Sequence, residues 1–186
     1  MTRTLLNSQK IAALTTVLDE CRDIPGDVAE LGVYQGGVAK LMAECVPGKL
    51  VHLFDTFTGI PGEKVGDIDY HEPGEFRCGL RDVRGFLGDC PNVRFHPGTF
   101  PATATGDAFA FVHLDADLYR STFDGLEYFW PRLSIGGAIV IDDWRWPFCE
   151  GVTKAANEFF TGRTDFRFDE RTQHQLAVCK PCPSSP

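Results

Sequence analysis

Apolar and polar positions follow one another along this chain in blocks whose period predicts the elements. From Ser8, the expected helix cap, Ile11, Leu14, Val17 and Leu18 share one helical face, and Pro25-Gly26 is the stop. Residues 28–33 read as a first strand, followed by the turn Gln35-Gly36-Gly37 and a helix over residues 38–45. Residues 50–54 read as a second strand ending at Asp55. A helix over residues 80–87, a strand over 93–95 and the turn Pro97-Gly98 come next. An apolar run containing Val112 and Leu114 stops at Asp115 and Asp117, and another over residues 138–141 stops at Asp142 and Asp143. Between them residues 119–133 have an amphipathic, helix-length pattern, and residues 151–160 predict a last helix before closing strands at 166–168 and 176–179.

Alternation of strand and helix at this spacing predicts a doubly wound α/β sandwich with a mostly parallel sheet. In such a sheet the strand-helix-strand unit ending at residue 143 brings both acidic strand ends to one edge, where ligands of open α/β folds bind. Three or four carboxylates there repel one another unless a cation sits among them, and hard oxygen ligands suit Mg²⁺ or Mn²⁺. Residues 56–76 are rich in glycine, proline and acidic side chains and are too long for a plain connection, so a functional loop closing over the site is expected.

The length of 186 residues predicts one domain over 1–186, with the helix of residues 1–26 at its start and a flexible tail at 181–186. Hydrophobic residues make up 43%, yet no apolar run approaches the roughly 20 residues that cross a bilayer. The first ten residues lack the apolar stretch of a signal peptide, so a cytoplasmic location is expected. A net charge of −8 argues against nucleic acid or an anionic membrane as partner and favours a small molecule. Seven cysteines, an odd number, fit reduced thiols. Cys179 and Cys182 form a lone CxxC without a second pair, more simply an accident of the tail than a metal site.

The block Glu30-Leu31-Gly32-Val33-Tyr34-Gln35-Gly36-Gly37 falls at the first strand-to-helix turn. It is not the dinucleotide fingerprint GxGxxG, because Tyr34 stands where the second glycine is needed. Its E-x-G-x-x-x-G spacing is similar to the first motif of class I S-adenosylmethionine methyltransferases, with an ordinary tight turn as the other reading. Asp55, at the end of the second strand, is placed to accept hydrogen bonds from ribose hydroxyls, or else is a turn or cap aspartate.

DVAELGVYQGG, FDTFTGIP, NVRFHPGTFPAT, HLDADLYRSTFDGLEYFWPRL, GGAIVIDDW and GVTKAANEFF occur in that order. Together they resemble the macrocin O-methyltransferase family over residues 27–180. The resemblance implies a Rossmann-like class I methyltransferase fold with an antiparallel closing strand. It also implies a transferase that methylates hydroxyls, typically on natural-product sugars, using S-adenosylmethionine and a divalent metal. Carried over, the metal ligands are Asp115, Asp142 and Asp143. Glu30 and Gly32, with Tyr34 and Gly36 of the same turn, lie near the methionine portion of the cofactor. Asp55 with Thr56 lies at the ribose, and Gly98-Thr99-Phe100 near the adenine, where Phe100 either stacks or is an ordinary core aromatic. His71 corresponds to a suspected general base, since an imidazole titrates near pH 6.5. Its bland counterpart is a solvated loop histidine, and a metal-ligating aspartate, Asp115, is the other candidate to take the proton. Asp117 is expected to support the metal site or to bind the following helix. His113 is expected to be a packing or supporting residue, and His52, His96 and His174 to be structural.

The chain is shorter than larger members of that family at its N-terminus, where they build lids and subunit contacts, and assembly as a homo-oligomer stays open. The rivals are a Rossmann oxidoreductase, disfavoured by Tyr34; a metal-dependent phosphoester hydrolase, which wants more cations than Arg120 and Arg145; and a non-catalytic S-adenosylmethionine-binding protein.

Overall fold

A computed structural model describes residues 3–62 and 68–181. Its elements are α1 (Ser8–Glu20), β1 (Asp27–Leu31), α2 (Gly37–Cys45), β2 (Val51–Asp55), α3 (Leu80–Phe86), β3 (Val93–Pro97), β4 (Phe109–Leu114), α4 (Tyr119–Arg132), β5 (Leu133–Asp142), α5 (Glu150–Phe160), β6 (Arg167–Thr172) and β7 (Gln175–Cys179). The strands form one sheet in the order β3-β2-β1-β4-β5-β7-β6. β3, β2, β1, β4 and β5 pair in parallel, and β7 runs antiparallel to both of its neighbours. The expected doubly wound sheet with an antiparallel closing strand is therefore present.

Strand parity sorts the core into two layers. Val28, Val51, Leu53, Phe111 and Val140 pack with Leu14, Val17 and Leu18 of α1, Met42 of α2 and Val83 of α3. Ala29, Leu31, Val112, Leu114, Ile139 and Ile141 pack instead with Leu126 and Phe129 of α4 and Val152 and Ala156 of α5. Each of these side chains larger than alanine, fully buried, contributes roughly 1.5–3 kcal/mol, which is why continuous apolar strands covered on both faces hold this architecture together.

Three boundaries differ from expectation for local reasons. Asn7, not Ser8, caps α1, its side chain accepting from the backbone N–H groups of Gln9 and Lys10 at 3.0 and 2.9 Å. β5 begins at Leu133 rather than near residue 138. Gly136, at φ +83°, and Gly137, where a Cβ would lie 2.7 Å from the Ala110 carbonyl oxygen, carry it alongside β4 with an irregular register, and glycine hid that strand from the apolar pattern. β1 stops at Leu31 because Gly32 leaves the extended region at φ +91°.

The segment between β2 and α3 is tied to the body where it is described. Ile60 N–H donates to the Glu75 carbonyl at 2.9 Å and Gly74 N–H to the Ile60 carbonyl at 3.0 Å. Asp69 accepts from the first N–H of α4, that of Tyr119, at 2.8 Å. Gly66 of the expected loop lies outside the described residues, as do residues 182–186 of the expected tail, with Cys182 among them. No described helix is long and apolar enough to cross a membrane.

Positive φ is distributed unevenly over the two edges of the sheet. Among the described residues Tyr34, Phe57, Phe76, Asp117, Asp143, Arg145 and His174, the non-glycine residues with positive φ, all lie in connections at the carboxyl ends of the parallel strands. At the opposite edge positive φ falls on Gly26, Gly106, Gly136 and Gly162.

Candidate functional site

β1, β2, β4 and β5 end side by side and open into a cavity of about 460 Å³. Its lining includes every expected cofactor-binding residue except Gly36, which is the N-cap of α2. On the β1 side, Glu30 is 1% exposed and is the register partner of His113 on β4, so the two side chains share a face. His113 Nδ1 lies 3.0 Å from Glu30 Oε1. Burial, and secondarily Asp55, pushes the Glu30 carboxyl well up, while burial holds His113 down at about 4, so the pair is neutral. Glu30 Oε2 has no hydrogen-bond partner among the described residues and Glu30 borders the cavity, which leaves that oxygen for a ligand.

Gly32 is required by its neighbour: a Cβ there would lie 1.7 Å from the Asp115 carbonyl oxygen. The turn is also clamped from β2. Asp55 Oδ2 accepts from the N–H groups of Val33 and Tyr34 at 2.7 and 3.0 Å, and Oδ1 from Phe57 N–H at 2.6 Å. Asp55 thus has the structural task of a turn aspartate while still bordering the cavity. Thr56 Oγ1 donates to the Gly59 carbonyl at 2.7 Å. Gly98 N–H donates to the Asp55 carbonyl at 2.9 Å, which brings Gly98-Thr99-Phe100 to the cavity wall. Phe100 is 8% exposed and stacks on Phe129 with ring centroids 5.5 Å apart, so most of its ring belongs to the core.

On the β4 and β5 side, one oxygen each from Asp115, Asp142 and Asp143 lies within 4.8 Å of the others. None of these aspartates, nor Asp117, caps α4 or α5. The first N–H of α4, that of Tyr119, is taken by Asp69 rather than by Asp117. Burial holds Asp115 and Asp117 well above the usual carboxylate range, reinforced by Asp142 at the first and Asp143 at the second.

The expected repulsion is relieved from α1, by a lysine. Lys10 of α1 reaches across the cavity and donates to Asp142 Oδ2 at 2.8 Å and Asp143 Oδ1 at 3.3 Å. Burial alone would lower the Lys10 pKa, but Asp142 and Asp143 more than offset it and raise it. Gln175 of β7 donates to Asp142 Oδ1 at 3.1 Å, and the Cys149 thiol to Asp143 Oδ2 at 3.5 Å. His71 also reaches this side, with Nδ1 2.7 Å from Glu75 Oε2 and Nε2 3.6 Å from Cys149 Sγ. It is therefore an anchored residue at the cavity rather than a solvated loop histidine. His52 and His96 pair with each other at 3.0 Å, outside the cavity lining, and His174 borders the cavity with Nδ1 3.3 Å from the Trp144 carbonyl oxygen.

The family model for macrocin-O-methyltransferase (TylF) matches residues 1–165. The chain belongs to that family. It is 32% identical over 160 residues to a demethyldecarbamoylnovobiocin O-methyltransferase of Streptomyces niveus, covering 74% of this chain and 59% of that protein. It is 39% identical over 145 residues to an 8-demethyl-8-(2,3-dimethoxy-α-L-rhamnosyl)-tetracenomycin-C 4'-O-methyltransferase of Streptomyces olivaceus, covering 65% and 54%. The chain thus spans under two thirds of the length of these family relatives. Among solved structures, the O-methyltransferase NovP superposes with a TM-score of 0.86 at 25% identity, covering 97% of this chain and 83% of that one. The calicheamicin methyltransferase CalS11, at 21% identity and a TM-score of 0.72, shares the fold.

Lys10, Gln175 and Cys149 were not readable as members of the site. Lys10 and Gln175 meet Asp142 across 132 and 33 residues, and a lysine on the polar face of an amphipathic helix carries no signal of a distant partner. Cys149 sits only six residues from Asp143, but nothing in its spacing distinguishes it from a packing thiol.

Proposed function

We propose that the protein is an S-adenosylmethionine-dependent, divalent-cation-dependent O-methyltransferase acting on a hydroxyl of a small natural product, a sugar or other vicinal diol. The observation that carries this reading is the convergence, in one cavity, of the glycine turn with its unpartnered Glu30 oxygen and the trio Asp115, Asp142 and Asp143. The named natural-product acceptors of the relatives support the acceptor class.

The residues fit both groups. Three clustered carboxylates whose charge a lysine already offsets form a hard-oxygen donor set of the kind that holds Mg²⁺ or Mn²⁺. A buried carboxyl oxygen without a partner suits the ammonium of a methionine moiety. When bound, the divalent cation supplies charge that acidifies a neighbouring hydroxyl and S-adenosylmethionine supplies an electrophilic methyl group.

The chain's own residues do the rest. Glu30 receives the amino end of the donor, and the Gly32–Tyr34 turn, clamped by Asp55, fixes where the donor lies. Asp115, Asp142 and Asp143 set where the acceptor oxygen is held, so reacting atoms meet without a search. His71 takes the hydroxyl proton on Nε2, because the Nδ1–H donated to Glu75 leaves the lone pair on that nitrogen. Lys10 and Gln175 keep the carboxylate of Asp142 in place.

The test is methyl transfer from isotopically labelled S-adenosylmethionine to a panel of desmethyl glycosides, with and without chelator. Asp142→Asn is expected to lower turnover by at least about 10²-fold and to abolish stabilisation by Mg²⁺ in thermal unfolding, while stabilisation by S-adenosylhomocysteine persists. Full turnover in chelator with the Asn variant would remove the cation from the reading. Stabilisation by NAD in place of S-adenosylhomocysteine would return the oxidoreductase.

A further inference from the structure

Beside the oxygen trio, His71, Asp117 and Cys149 bring an imidazole nitrogen, a carboxylate oxygen and a sulfur within 4.8 Å of one another. This donor set differs in kind from the trio, because imidazole and thiolate are ligands of borderline and soft metals whereas carboxylates alone suit Mg²⁺. We propose that these three residues form a second metal position, selective for Zn²⁺ or a similar borderline-soft divalent ion.

Three features of the geometry carry it. In a tetrahedral zinc site with Zn–S about 2.3 Å and Zn–N about 2.0–2.1 Å, the sulfur and nitrogen stand about 3.6 Å apart. His71 Nε2 and Cys149 Sγ are 3.6 Å apart. The second feature is orientation: Nδ1 of His71 lies 2.7 Å from a Glu75 carboxylate oxygen, the outer contact that fixes a ligating histidine with its other nitrogen turned inward. The third is access. Cys149 is fully buried, while His71 and Asp117 border the cavity, so three protein donors leave a fourth position open to it.

The Cys149 thiol donates to Asp143 Oδ2 at 3.5 Å and lies beside Asp117, so without a cation it carries its proton. Binding exchanges the Sγ proton, released to solvent, for the metal, whose charge then faces those same carboxylates. Asp143 touches both positions, through Lys10 on one oxygen and Cys149 on the other. A metal here occupies His71 Nε2 and so removes it from proton transfer, making zinc an inhibitor where magnesium is an activator. That consequence, though not the site itself, rests on His71 being the base.

The test is a Co²⁺ titration of the chelator-stripped full chain, followed by absorbance. The expected result is a sulfur-to-cobalt charge-transfer band that saturates at a single equivalent, survives excess Mg²⁺ and Asp142→Asn, and vanishes in Cys149→Ser. His71→Gln and the surface change Glu75→Gln are expected to weaken Co²⁺ binding by about 10- to 100-fold. These two decide the matter if the serine variant does not fold, and unchanged affinity in both would overturn the site. A titration without the sulfur band, or a band that persists in Cys149→Ser, would overturn it as well. If the band behaves as expected but neither Mg²⁺ nor Mn²⁺ binds elsewhere, the oxygen-trio reading falls and this site stands.

Discussion

The two edges of the sheet solve the same geometric problem with different residues. At the amino edge, left-handed backbone falls on Gly26, Gly106, Gly136 and Gly162, the residue type that adopts it without a steric cost. At the carboxyl edge it also falls on Tyr34, Phe57, Asp117 and Asp143, where a side chain makes the same conformation cost of order 1–3 kcal/mol. The carboxyl edge keeps side chains where glycine would be cheaper because those side chains have work there. Asp117 and Asp143 present carboxylates to the cavity, the Tyr34 ring borders it and packs edge-on against Phe76, and the Phe57 ring is buried in the core. The difference teaches where to look for chemistry: strain accepted at one edge and avoided at the other marks the edge with a function to serve.

Substitution at Gly32 should break the carboxyl edge most severely. Gly32→Ala drives a methyl into the Asp115 carbonyl oxygen and joins the glycine turn to the acidic side by a clash. A loss of about 4 kcal/mol or more in urea-induced unfolding, together with loss of S-adenosylhomocysteine binding, is expected. A loss below about 1 kcal/mol would mean that the two halves of the edge are not rigidly coupled.

His71→Ala leaves the backbone of the edge alone and removes only a side-chain task. It should lower turnover by on the order of 10²- to 10⁴-fold in magnesium buffer while sparing cofactor affinity. Comparable losses in turnover and in cofactor affinity would place its role in the fold instead.

The same edge should give the metal-free protein an unusual pH dependence. Asp115 and Asp117 have folded pKa values raised by burial and by neighbouring carboxylates, so the folded state holds protons that the unfolded chain has released. Stability is then greatest below the ordinary carboxylate range and is lost as pH rises through the raised values. Glu30, raised by burial, adds to that decline, whereas His113, held down at about 4, opposes it between about pH 4 and 6.5. Denaturant midpoints that fall from pH 5 to pH 8 without metal, and flatten with Mg²⁺, are the expected outcome; a rise over that interval would contradict it.

The smallest effect belongs to the amino edge. Gly162→Ala has φ +76° and nothing within 4 Å of the added carbon, so only the backbone term remains. A loss of about 1 kcal/mol with unchanged activity is expected from paired unfolding and turnover measurements.

What could be read from the sequence divides along physical lines. Continuous apolar runs ending in aspartate announced β4 and β5 and the carboxylates Asp115, Asp117, Asp142 and Asp143 at their ends, because burial on both faces writes itself into neighbouring positions, and the family resemblance drew the trio from those four. The quoted blocks announced the family. Lys10 and Gln175 stayed hidden because one polar residue on a helix or strand fits solvent as well as a distant carboxylate, and only the packed chain decides. Asp55 was placed correctly at the cavity, but its clamp on three backbone N–H groups depends on how two loops meet.

The hairpin of β6 and β7 lies beyond residue 165, where the match to the family model ends. Yet β7 pairs along β5 from Ala138 to Asp142 and brings Gln175 to the acidic side. A chain cut at that boundary would keep the blocks by which its kinship is recognised and would bare the edge of β5, whose Ile139 and Ile141 are fully buried here. An unpaired, apolar strand edge recruits other chains. The part that suffices for recognition is therefore smaller than the part that can stay in solution as a folded unit.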